Sequence, residues 1–259
     1  MKEASAPGKR GTRWSPRKRS TRRLDERPED RRAPLSKTRG ALMSEMTDGA
    51  RKAYLAEARA ALRASDPVMR SLVDSRPHLD PYAWQLAWRR DLPTTDLFGA
   101  LLRQVVGQQI SVGAASAILG RLAALFGGEA PTPAQLLTTD PERLRSAGLS
   151  RQKTSYVRAL AQHVESGALE LDRLTELTDE EVRKQLTAVK GIGRWSADMM
   201  LLVELGRPDV LPSGDLGIRK AVQRAYGLPT LPAPKEVDLL GENWRPHRSL
   251  ATSYLYASL

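Results

Sequence analysis

The chain has 259 residues, no cysteine, and 41 Lys/Arg against 30 Asp/Glu, for a net charge of +11. It is long enough for one large or two small domains with a buried core. The lack of cysteine excludes disulfides and thiolate-held metals or clusters, and neither a membrane-spanning apolar run nor an apolar signal core is visible. The charge is unevenly spread. Residues 1–40 hold 14 basic and 5 acidic residues, so most of the excess lies there and the body is nearly balanced.

Residues 1–42 are rich in Arg, Pro and Ser and poor in large apolar side chains. They cannot bury enough surface to offset chain entropy, so a disordered basic tail is expected. Such a tail either adds salt-sensitive, sequence-blind nucleic-acid affinity or is simply solvated. A start at Met43 or Met46 is a third reading.

The body, 43–259, reads as all-α. Residues 49–64 carry apolar positions at helical spacing. Leu97–Phe126 is a long apolar segment, expected as two helices with a turn near Gly107–Val112. Short helices follow at Thr132–Leu137 and Asp140–Ala147, where Asp140 and Pro141 suit a cap and a first turn. Ser150–Ser166 is another helix, ending before Gly167. Thr178 to Glu181 forms a capping box that opens the next one. A further helix is expected from about Arg194 to Leu205, stopped at Gly206. Ser213 is the expected cap of a helix carrying Asp215 to Tyr226, and Arg245–Leu259 the terminal helix. No alternating strand run or internal repeat is present.

The chemistry concentrates at 186–220. Gly191, Ile192 and Gly193 form a turn that opens an apolar helix. Glycines there let backbone N–H groups approach a phosphate, and the helix N-terminus adds partial positive charge. Asp215 follows 22 positions after Gly193, past a Pro-Ser-Gly break. Two plainer readings stand beside these: a helix–turn–helix corner, and a helix-capping acid. The three histidines (His78, His163, His247) show no metal-ligand spacing.

The string Val189-Lys-Gly-Ile-Gly-Arg-Trp-Ser-Ala-Asp198 with Pro212-Ser-Gly-Asp215 resembles the helix-hairpin-helix DNA glycosylases. The resemblance covers roughly 70–258 and is strongest to the 3-methyladenine DNA glycosylase II branch. It implies two helical subdomains with the hairpin at about 178–206 and the active-site cleft between them. Familiar members of that branch have a further N-terminal mixed α/β domain. Only some fifty residues expected to be ordered precede Val105 here, with no strand pattern, so that domain is expected to be absent or replaced by helices.

By this resemblance Asp215 is the catalytic carboxylate. Gln108, Gln109, Ser111, Lys190, Gly191, Gly193 and Arg194 contact DNA, with Gln109 at the wedge position where better-known relatives have leucine. Trp195, Met199 and Tyr256 line the base pocket. Members that also cut the backbone carry a lysine at the place of Trp195, so a monofunctional enzyme for alkylated bases is implied. Arg248 is expected to brace the active-site loop or to touch DNA. The partner implied is duplex DNA with damaged bases; no cofactor, metal or membrane is implied. A monomer in a bacterial cytoplasm, at the nucleoid, is expected. A glycosylase for another lesion class and a non-catalytic hairpin module are the alternatives.

Overall fold

The computed structural model describes residues 46–79 and 96–259. The expected disordered tail lies outside the described residues. Helices α1 (Asp48–Ser65) and α2 (Pro67–Ser75) come first. After them run α3 (Leu97–Gly107), α4 (Val112–Ala124), α5 (Pro133–Thr138), α6 (Pro141–Ser146) and α7 (Arg151–Glu165). A 3₁₀ turn at Leu171–Thr175 leads to α8 (Asp179–Ala188) and α9 (Arg194–Met199). The chain closes with α10 (Leu216–Ala225), α11 (Pro234–Gly241) and α12 (Arg248–Ala257). Among the described residues there is no strand, and no helix is long and apolar enough to cross a membrane.

Local chemistry explains most boundaries. Side chains of Asp96, Ser111, Asp140 and Ser150 each accept a hydrogen bond from the first turn of the helix they precede. Thr132 and Thr178 form full capping boxes. Gly148, Gly167 and Gly206 take positive φ just beyond helix ends, where a Cβ would be strained.

The buried side chains form two cores. One runs from Phe98 to Val210 and gathers α3 to α9. The other joins Ala58, Leu62, Met69 and Val73 to residues 211–255, so α1 and α2 pack with α10 to α12. The first lobe is therefore continuous in sequence. The second is assembled from both sides of it.

Asp66 ties the second lobe together. Its Oδ1 caps α2 by accepting from the Met69 N–H at 2.7 Å. Its Oδ2 accepts from the Tyr226 hydroxyl at 2.8 Å and the Trp244 indole at 3.1 Å. Burial and the Asp66 charge push the Tyr226 phenol above its ordinary pKa, so it stays a donor. Asp66→Ala removes a cap and strands two donors, and is expected to cost about 3 kcal/mol of stability. Equilibrium unfolding in urea measures this. A loss under about 1 kcal/mol would mean that the carboxylate does not tie the lobe.

The structure corrects three boundaries. Helix α10 is capped by Asp215 itself, not by Ser213, because the Asp215 carboxylate reaches the Ile218 N–H at 2.9 Å. The segment 194–205 is not one regular helix: Met200–Glu204 widens into a π turn, with the Leu205 N–H bonded to the Met200 carbonyl at 2.9 Å. The last helix begins at Arg248, since Pro246 offers no N–H and His247 takes the cap position. Helices α2 and α11 are additional to the expected set.

Candidate functional site

The hairpin is α8, the turn 189–193 and α9. Helix α8 ends at Ala188 with Val189 as its extended cap, and the Ile192 N–H closes the turn onto the Val189 carbonyl at 3.0 Å. Ile192 is buried between the helices. Gly191 has φ +93°, and a Cβ there would fall inside the Tyr156 ring. Both observations demand glycine. Gly193 starts α9 with no side-chain cap, so the first amides of α9 keep their donors for a group outside the hairpin.

Two basic residues flank the turn. Lys190 is exposed and its Nζ donates to Ser155 Oγ at 3.1 Å. The Arg194 side chain is 65% exposed and its Nε lies 3.3 Å from Asp198 Oδ2. Asp198 is buried and pairs across the hairpin with Arg183 at 2.7 Å. That pair fixes the two helices against each other and leaves Arg194 outward.

The loop between α3 and α4 lies against this turn. Gln108 is half-buried and its Nε2 donates to the Gly191 carbonyl at 2.8 Å. Gln108 thus couples loop to hairpin instead of standing free. Gln109 is exposed with φ +59°, the one non-glycine residue in the left-handed region among the described residues. Such strain is kept where the surroundings impose it, and functional loops are a common place. Ser111 is spent as the cap of α4. Beside them Ile110 and Val112 are exposed, Val112 by 76%. Sequence reading assigned these two no role; their place beside a Gly-Gln-Gln turn was the available signal.

A concavity of about 570 Å³ opens here, lined among others by Gln108, Gln109, Ser150, Lys153, Tyr156 and Gly193. Lys153 Nζ donates to the Val106 carbonyl at 2.6 Å, and partial burial lowers its pKa. Asp215 does not line this concavity. The polar hollow and the carboxylate are separate places, and the hollow's size says nothing about where bond breaking would occur.

Asp215 stands where the two lobes meet. Its Oδ1 caps α10, and its Oδ2 accepts from the Trp195 indole N–H at 2.7 Å. Trp195 packs on the first core, while α10 belongs to the second. Tyr256, on α12, stands beside the same carboxylate: a Cβ on Gly217 would meet both Asp215 Oδ1, at 2.9 Å, and Tyr256 Cε1, at 3.3 Å. Burial, with the Asp215 charge beside it, raises the Tyr256 phenol pKa. The structure brings Asp215, Trp195 and Tyr256 together. Met199 does not join them: it is 1% exposed, inside the first core, because the face of α9 that carries it packs inward.

The segment 206–215 that delivers Asp215 is clamped. Arg207 donates to the carbonyls of Leu174, Thr175 and Leu177 at 3.2, 3.0 and 2.8 Å. Arg248 Nε binds Asp209 Oδ1 at 2.7 Å, and its Nη2 reaches the Asp209 carbonyl at 2.8 Å. Ser249 Oγ accepts from the Val210 N–H at 2.9 Å. Of the two roles expected for Arg248, the structure gives it the brace. No group of His, Asp and Glu among the described residues could hold a metal ion.

Comparison with known proteins matches residues 102–246 to the model of the HhH-GPD superfamily base excision DNA repair proteins. DNA-3-methyladenine glycosylase 1 of Schizosaccharomyces pombe is 34% identical over 169 residues, 64% of this chain and 74% of that one. A structure of 3-methyladenine DNA glycosylase from the same yeast, in complex with abasic DNA, aligns with a TM-score of 0.67 and 31% identity, over 77% of this chain and 95% of that one. DNA-3-methyladenine glycosidase of Bacillus halodurans aligns with a TM-score of 0.59 and 35% identity, over 74% and 88%.

Proposed function

Because the chain belongs to the HhH-GPD superfamily of base-excision DNA repair proteins, we propose that it is a monofunctional DNA glycosylase that removes alkylated bases, such as 3-methyladenine, from duplex DNA. The observation that carries this reading is the Asp215 carboxylate, fixed at the lobe boundary by Trp195 of the hairpin helix and by its own helix. A hairpin that only bound DNA would have no need to orient a carboxylate.

The chemistry runs as follows. Hairpin amides after Gly191, with Lys190 and Arg194, hold a backbone phosphate. Gln109, with the apolar Ile110 and Val112 beside it, enters the duplex and fills the gap left by the flipped nucleotide. Alkylation at N3 or N7 gives a purine a positive charge and makes it a good leaving group, so little acid catalysis on the base is required. As the N-glycosidic bond stretches, positive charge builds on the sugar. The Asp215 carboxylate stabilises that charge and orients the attacking water. Release of the free base leaves an abasic site.

Trp195 offers no amine to the sugar. The nearby lysines Lys190 and Lys153 direct their Nζ atoms to Ser155 and to the Val106 carbonyl, on the hairpin side. Neither of these lysines is directed at Asp215 to form the Schiff base through which a strand-cutting glycosylase works. The expected product is an intact strand with an abasic site. Borohydride treatment during the reaction should trap no covalent protein–DNA adduct, and a trapped adduct would contradict the assignment. The broader test is a gel assay with alkylated, uracil-containing and oxidised duplexes. Cleavage confined to uracil or oxidised lesions would move the enzyme to another lesion class, and no release from any of them would leave only DNA binding.

A further inference from the structure

We propose that Tyr256 is a positioning residue whose hydroxyl, with the Trp195 indole N–H, holds the Asp215 carboxylate in its reactive orientation. This assignment differs from a base-stacking wall, and it rests on the glycosylase reading. A carboxylate has about four lone-pair sites for donors. Two donors are fixed on it, the Ile218 amide of α10 at 2.9 Å and the Trp195 indole of α9 at 2.7 Å, and the Tyr256 phenol of α12 stands beside it as the third. The group is packed as well as bonded. A Cβ on Gly217 would lie 2.9 Å from Asp215 Oδ1 and 3.3 Å from Tyr256 Cε1. The ring edge of Tyr256 is therefore set against the first turn of α10, beside the carboxylate.

The chemistry of the donors fits the task. An indole N–H is a donor only, and a protonated phenol facing a carboxylate, which has no proton to give, donates as well. Burial and the Asp215 charge keep the phenol protonated. Donors fixed on the carboxylate remove rotamer freedom, so no reorganisation is needed as sugar charge develops. The donors come from both lobes, so the carboxylate orientation depends on how the lobes meet.

Tyr256→Phe separates the two roles, because it keeps the ring face and removes the donor. The experiment measures single-turnover release of 7-methylguanine from a methylated duplex, with affinity for a duplex carrying a tetrahydrofuran abasic analogue. The expected result is a release rate lowered roughly tenfold or more, with that affinity held within about twofold. Trp195→Phe should act in the same direction. A wild-type rate in Tyr256→Phe, with loss only in Tyr256→Ala, would assign the ring to stacking and overturn the proposal. Equal losses in rate and affinity would mark a structural role and overturn it as well. Absence of release by the wild-type protein would instead overturn the glycosylase reading, and this one with it.

Discussion

Asp215→Asn is expected to slow base release by roughly 10²–10³-fold, the scale seen when one fixed electrostatic contact to a transition state is removed. Asparagine is as good a helix cap as aspartate, so the Ile218 N–H keeps its acceptor and α10 still forms. What changes is charge. The amide supplies one oxygen where the carboxylate supplied two, so it cannot cap α10 and also accept from Trp195. One donor is stranded, at a cost of about 1 kcal/mol to the fold. The melting temperature should fall by only a few degrees, and affinity for damaged duplex should stay near that of the wild type. Quench-flow or gel analysis of base release, beside a binding isotherm, gives both numbers. Full activity in the folded variant would remove Asp215 from the chemistry.

The helix boundaries were legible where a residue type does one local job. Thr178 announces a capping box, and it forms; Thr132, read only as a helix start, forms one as well. Helices α2 and α11 escaped although their signals were present: Asp66 before Pro67, and Pro234 with Glu236 at the third position. The π turn at Met200–Glu204 has no counterpart in the residue pattern; its apolar run reads as ordinary helix. Pairing of α1 and α2 with α10 to α12 was not legible either. It depends on contacts across more than 140 residues, which spacing along a chain cannot encode.

The site divided in the same way. Asp215 drew a catalytic reading from the resemblance and a capping reading from its position, and the carboxylate caps with one oxygen while the other accepts from Trp195. The two oxygens make this compatible, which a sequence cannot display. The resemblance gave both Gln108 and Gln109 to DNA, with Gln109 as the wedge. The left-handed conformation of Gln109 turns the chain between them, so Gln108 reaches the Gly191 carbonyl and Gln109 faces outward. Met199 was misread because the identity of the inward face of α9 depends on the core it meets.

Gly191→Ala tests the hairpin in turn, and should weaken both fold and DNA binding. Two costs add. At φ +93° an L residue is strained by roughly 1–2 kcal/mol. The new methyl would also collide with the Tyr156 ring, whose hydroxyl is held by Gln152 at 2.5 Å, and such overpacking costs about 1–3 kcal/mol. Together they approach half the stability of a typical domain. Relief by moving the turn would shift the amides of Gly193 and α9 from their phosphate, and break the Gln108 contact to the Gly191 carbonyl. Affinity for undamaged duplex should then fall about tenfold or more, since two or three charge-assisted hydrogen bonds weaken at once. The double variant Gly191→Ala/Tyr156→Ala separates the terms. Removing the ring abolishes the collision but not the φ strain, so Ala at 191 should cost less in the Tyr156→Ala background than alone. The difference, read as a coupling energy from urea unfolding, measures the collision. Additive losses would mean that Tyr156 does not set the turn. Unchanged DNA affinity in a destabilised Gly191→Ala protein would mean that the hairpin amides do not hold the phosphate.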